Sequence, residues 1–210
     1  MLLPSARRRR AAVVLVGLLT FVLGAGCSDE EERAAPEPEP TPIDRLNTAA
    51  MQIPRIQFCP RIDPGAIADA LGGEPDDDRS WGNGDEAPVL PGGRSDVVQE
   101  LGCEWTTEDG VSARAWVFAR PVTARLASRV VRDAAGQERC RTAGNAGFGD
   151  PSYRQVCRVG DTQRARRAGL FGQTWLTCEL TVPASTPARE VDQRTDAWCV
   201  EVVNALNTSR

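Results

Sequence analysis

Tyr153–Val182, YRQVCRVGDTQRARRAGLFGQTWLTCELTV, is the stretch that decides the fold. It divides into three strand-length runs, 153–159, 163–171 and 174–182, punctuated by Gly160-Asp161 and Gly172-Gln173. Runs of this length bounded by glycine turns read as an antiparallel meander. In the last run Leu176, Cys178, Leu180 and Val182 alternate with polar residues, so one face of that strand is apolar. Upstream, 101–107 and 111–119 flank Asp109-Gly110, a hairpin signal. Leu101, Cys103 and Trp105 share one face of the first of these strands, and Trp116 and Phe118 share a face of its partner.

Helix signals surround the strands. Residues 43–51 (IDRLNTAAM) carry a helical pattern leading into the domain. At 63–71 Asp63 is placed to cap, Pro64 takes the first helical position, Ile62 and Ile67 have staple spacing, and Gly72 terminates. From Pro121 to Ala135, Val122, Leu126, Val130 and Val131 face one way and Arg125, Arg129 and Arg132 another, with Gly136 ending the run. From Thr186 to Leu206, Pro187 and the early acids Glu190 and Asp192 precede an apolar stripe of Val191, Trp198, Cys199, Val202 and Leu206. The expectation is a single α+β domain over 43–210: an antiparallel sheet of about five strands with helices packed on one face.

Cysteine usage adds covalent staples. Beyond Cys27 there are Cys59, Cys103, Cys140, Cys157, Cys178 and Cys199, an even set without any C-x-x-C pair. In an exported chain this reads as three disulfides. Cys178 lies on the apolar face of the last strand and Cys199 on the apolar stripe of the last helix, so a Cys178–Cys199 bridge joins sheet to helix. Cys103, beside Trp105, is then within reach of Cys59 at the opening of the 63–71 helix, which leaves Cys140–Cys157.

The N-terminus sets the compartment. Arg7–Arg10 form a positive region, Ala11–Leu23 a short apolar core, and Gly24, Ala25 and Gly26 the small residues before Cys27. This is the pattern of a lipoprotein signal over 1–26, with Cys27 as the lipidated residue and the protein held by that lipid anchor on the outside of the cell membrane. An uncleaved anchor is the rival reading. The apolar run is shorter than the roughly 20 residues a membrane-spanning helix needs. Residues 27–42, acidic and proline-rich, cannot bury enough apolar surface to offset their ordering entropy and read as an extended tether.

Composition removes several chemistries. The 210 residues include no histidine and no lysine, so imidazole acid–base catalysis, histidine metal ligation and Schiff-base chemistry are unavailable. Without residues 1–26 the chain loses four arginines and no acid, moving its net charge from -4 to -8. So acidic a domain makes a poor nucleic-acid partner. No metal site and no cofactor are expected.

Two features are candidates for binding. The segment 72–96 is long and rich in acids, glycine and proline, and reads as a loop; Trp81 within it is a candidate ligand contact. Arg154, Arg158, Arg164 and Arg166 cluster on one hairpin and are candidates for an anionic partner. Carboxylates on or near strands, such as Glu104 and Glu179, leave a glycoside-hydrolase reading open. The leading expectation is a non-catalytic envelope module that binds a ligand or protein partner, with an accessory scaffold subunit of a membrane complex as the alternative.

The lipobox cysteine, the acidic Pro-rich spacer, the Cys59-Pro60 and Asp63-Pro64 pairs, Cys103-Glu104-Trp105, the turn Gly147-Phe148-Gly149-Asp150 and the closing helix together resemble the actinobacterial lipoproteins of the domain of unknown function 3558 family. That resemblance implies an exported, membrane-anchored domain of this fold and brings no catalytic residues with it.

Overall fold

In the computed structural model, which describes residues 42–48, 51–90, 94–144 and 147–207, the glycine turns set the strand order. The strands are β1 (Asp77–Trp81), β2 (Glu86–Leu90), β3 (Arg94–Val97), β4 (Glu100–Thr106), β5 (Ser112–Phe118), β6 (Cys140–Ala143), β7 (Ser152–Val159), β8 (Thr162–Phe171) and β9 (Thr174–Pro183). Seven of them form one antiparallel sheet in the order β1-β4-β5-β9-β8-β7-β6, and β2 and β3 pair as a separate ribbon. The helices are α1 (Pro64–Leu71), α2 (Ala124–Ala135) and α3 (Ala188–Leu206). The described residues lie in one compact unit, 39–210. Residues 1–41, with the signal, Cys27 and nearly all of the tether, are outside the described residues.

Local chemistry explains the helix ends. Asp63 accepts the Ala66 backbone N–H at 3.2 Å with Pro64 at the first helical position, and Gly72 closes α1 in the left-handed region at φ 78°. Thr123 caps α2 through Leu126 N–H at 3.2 Å. Pro187, without a side-chain cap, precedes α3. Among the described residues of 43–51 the pattern gives a 3-10 turn over Ile43–Arg45, and Leu46 leaves helical geometry at ψ 124°. Ile43 is nevertheless buried in the core.

The sheet has more strands than the five expected, and its helices divide between its faces. On one face Cys103, Trp105, Ala113, Ala115, Leu176, Cys178 and Leu180 pack with Ile67, Ala70 and Leu71 of α1 and with Val191, Trp198, Cys199 and Val202 of α3. On the other, Tyr153, Ala168, Leu170 and Trp175 pack with Ala127 and Ala134 of α2. Strand alternation makes the division strict, since Trp175 and Leu176 point oppositely, as do Ala168 and Arg167. The reason is occupancy: α1 and α3 already fill their face, so the apolar stripe of α2 is buried against the β7–β8–β9 end of the other one.

Three disulfides hold this arrangement: Cys178–Cys199 between β9 and α3, Cys59–Cys103 between a 3-10 turn and β4, and Cys140–Cys157 between β6 and β7. Each such bridge is worth roughly 2–4 kcal/mol. Trp198 is the centrepiece of the α1/α3 face. It stands edge-on to Trp105 at 5.7 Å and donates its ring N–H to the Arg114 carbonyl at 3.1 Å. Arg167, 1 % exposed, points from β8 into the same face and donates to Asp196 at 2.6 Å and Asp192 at 2.8 Å on α3. Burial raises the Asp196 carboxyl above its ordinary range, Arg167 opposes that rise, and Asp192 adds to it.

Candidate functional site

Strand register assembles the site on the β1–β4–β5 part of the second face, beyond the reach of α2. Arg79 pairs with Glu104, Glu104 with Arg114, Arg114 with Glu179 and Glu179 with Arg166, a line of alternating charge across five strands. Arg79 bonds to Glu104, and Arg166 donates to Glu179 at 2.8 Å. One step along the strands lies a second line, in which Trp81 faces Gly102 and Gly102 faces Trp116.

The two lines interlock through ring faces. Arg114 sits 4.8 Å from the Trp81 ring and 4.6 Å from the Trp116 ring; Arg79 lies 5.9 Å from Trp81 and Arg166 5.4 Å from Trp116. Arginine over an aromatic face contributes about 0.5–2 kcal/mol depending on desolvation, so the stack holds its members in fixed positions. Gly102 makes it possible: a Cβ there would lie 2.5 Å from Trp81 Cζ2 and 2.7 Å from the Ala115 carbonyl.

Beside the stack opens a cleft of about 990 Å³. Its floor is Trp81, Glu100, Arg114 and Phe118; one wall is Pro121, Val122 and Leu126 leading into α2, and the other is Asp85, Glu86 and Asp96–Val98 around the β2–β3 ribbon. Val97 is 51 % exposed at the ribbon's end. Burial raises the Glu100 carboxyl above its ordinary value, while Arg114, 4.0 Å away, and a hydrogen bond with the Trp81 ring pull it down. The cleft therefore offers an apolar wall, charged groups of both signs and one desolvated carboxyl, a combination suited to holding a small amphiphilic molecule.

The candidates read from sequence are placed differently from one another. Trp81 lies on edge strand β1, half-buried on the cleft floor. The segment 72–96 is not a loop: it supplies β1 and β2 and begins β3. The four arginines do not form one cluster. Pairing of Val159 with Thr162 puts Arg154 opposite Arg167 and Arg158 opposite Gln163, on the α1/α3 side, whereas Arg164 faces Cys157 and Arg166 faces Gln155 on the opposite side. Arg164 and Arg166 are both drawn to Glu179, at 3.4 Å and 2.5 Å. The four therefore divide two and two between the faces of the sheet. Glu104 and Glu179 are likewise occupied by arginine. Among the described residues no group of three His, Cys, Asp or Glu is placed to hold a metal ion, and no helix is long and apolar enough to cross a membrane.

Glu100, Arg114, Trp116 and Phe118 belong to the site although no motif marks them. Turn geometry was the available signal. The Thr107 N–H bonds to the Val111 carbonyl at 2.9 Å and Gly110 has φ 83°, giving a three-residue loop that aligns Glu100 with Phe118 and Gly102 with Trp116.

No family model matches the chain, and no curated protein matches it.

Proposed function

We propose that this protein is an extracytoplasmic lipoprotein, tethered through Cys27, whose cleft holds a small amphiphilic ligand without transforming it. The observation that carries the reading is the cleft itself, framed by a rigid Arg–Trp stack on one side and the apolar approach to α2 on the other. Residues locked by packing present a preformed surface and reduce the entropy lost on binding. The N-terminal pattern and the resemblance to the domain of unknown function 3558 lipoproteins support the location. The lack of histidine and lysine, with Glu104 and Glu179 tied to arginines, favours binding over hydrolysis.

Native mass spectrometry of the full-length protein taken from its host membrane tests the binding. A reproducible non-covalent mass beyond the acyl chains supports it, and a bare mass in every preparation overturns it. Cys27→Ala tests the tether separately: the variant is expected to leave the membrane fraction and lose acyl label, and retention with the label intact contradicts lipidation at that residue.

A further inference from the structure

The three disulfides occupy three different environments. Cys178 and Cys199 are both 0 % exposed beneath α3. Cys103 is 1 % exposed while Cys59 is half-buried, and that bridge lines a pocket of about 550 Å³ at the β1 edge together with the acids Glu74 and Asp78; Arg79, also there, is bonded to Glu104. Cys140 and Cys157 are both half-buried, directly paired across β6 and β7, and β6 is an edge strand. Around them are arginines. Arg164 faces Cys157 from β8 on the same side of the sheet, its own partner being Glu179; exposed Arg139 precedes Cys140, and exposed Arg141 and Arg158, the residues after the two cysteines, project to the other side of the same sheet edge. Glu138 is the acid nearest along the chain.

We propose that Cys140–Cys157 is a thiol-exchange site, opened by low-molecular-weight anionic thiols while the other two bridges stay closed. Attack is by thiolate, so a positive surrounding raises the local concentration of an anionic thiol and stabilises the thiolate that leaves. The incoming sulfur bonds to Cys140 Sγ at the sheet edge, the Sγ–Sγ bond breaks, and Cys157 leaves as a thiolate facing Arg164. A second thiol then attacks the mixed disulfide and releases Cys140. In sum two thiols become one small disulfide, and their two protons pass to Cys140 and Cys157. Opening frees β6 and the hydrogen bonds of Thr142 and Gln155 to the Ala134 carbonyl at the end of α2, and leaves the Trp198 core shut. The site is independent of the cleft.

The test exposes the oxidised full-length protein to 2-mercaptoethanesulfonate, an anionic thiol, or 2-aminoethanethiol, a cationic one, with acid quench, alkylation and peptide mapping over time. Cys140–Cys157 is expected to open about tenfold faster than either other bridge in the anionic thiol. The anionic-to-cationic rate ratio there should exceed the same ratio at Cys59–Cys103, a comparison that cancels the intrinsic reactivity of the two reagents. Arg139→Gln with Arg141→Gln should bring the two ratios together. Earlier opening of another bridge, opening of all three together with loss of the near-UV circular dichroism, or equal ratios in the unsubstituted protein would overturn the proposal.

Discussion

On the face beneath α1 and α3, the strands turn Ala113, Ala115, Leu176, Cys178 and Leu180 toward the helices, whereas on the other face β4, β5 and β9 turn out Glu104, Arg114, Trp116 and Glu179. The first face is sealed by apolar burial and two disulfides. The second is organised by charge alternation and ring stacking, with α2 covering only its β9–β8–β7–β6 end. Apolar burial contributes about 25 cal/mol per Å², while exposed ion pairs give about 0–1 kcal/mol each. Stability therefore resides mainly on one face, leaving the other free to carry a preformed surface at modest energetic cost.

Substitutions can break that contrast. The largest effect is expected from Trp198→Ala on the sealed face, where loss of a fully buried ring and its hydrogen bond should cost about 3–5 kcal/mol in urea unfolding. A cost near that of an exposed tryptophan would mean the sealed face does not dominate. Next comes Gly102→Ala. The added methyl has no room between Trp81 and the Ala115 carbonyl, and overpacking of this kind costs about 1–3 kcal/mol. The substitution should also shift tryptophan fluorescence as the stack moves. An unchanged spectrum at full stability would show that the stack does not depend on the glycine.

Glu100→Gln is the finest probe, because it reads one carboxyl. Its folded pKa is raised, chiefly by burial, so the native state binds that proton more tightly than the unfolded chain does. Stability associated with the bound proton is present below the unfolded value and lost as pH climbs through the folded one. The glutamine variant should accordingly gain stability relative to the parent as pH rises from about 4 toward neutrality. A relative loss over that interval in paired denaturation curves would mean that Arg114 and Trp81 outweigh burial.

Much of the sealed face was legible in the chain, and little of the open one. Cys178 and Cys199 each sat on an apolar stripe of known period, and Asp63, Pro64 and Gly72 marked both ends of α1. The open face depended on matching strands across turns, where one residue of slip exchanges faces. Gly110 in the left-handed region sets the β4–β5 register, and Asp109-Gly110 alone does not distinguish a two-residue from a three-residue loop. Strand β1, DDRSW, shows no apolar alternation because it is a charged edge strand, and β6 is only four residues long. The arginines at 154, 158, 164 and 166 lie on one hairpin in sequence, but pairing across Gly160-Asp161 sends them to opposite sides. The stripe on α2 fits either face, and only the prior occupancy of one by α1 and α3 decides between them.

The central claim is that the open face binds through its cleft, and Val97→Arg tests it most directly by placing a charge at an exposed apolar position of the cleft wall while leaving the sealed face untouched. Wild type and variant, full length and recovered from the host membrane in parallel, would be compared by native mass spectrometry alongside their melting temperatures. The account predicts a non-covalent adduct on the wild type that disappears from the variant at unchanged melting temperature. An adduct retained by the variant, or a wild type that never carries one, would contradict it.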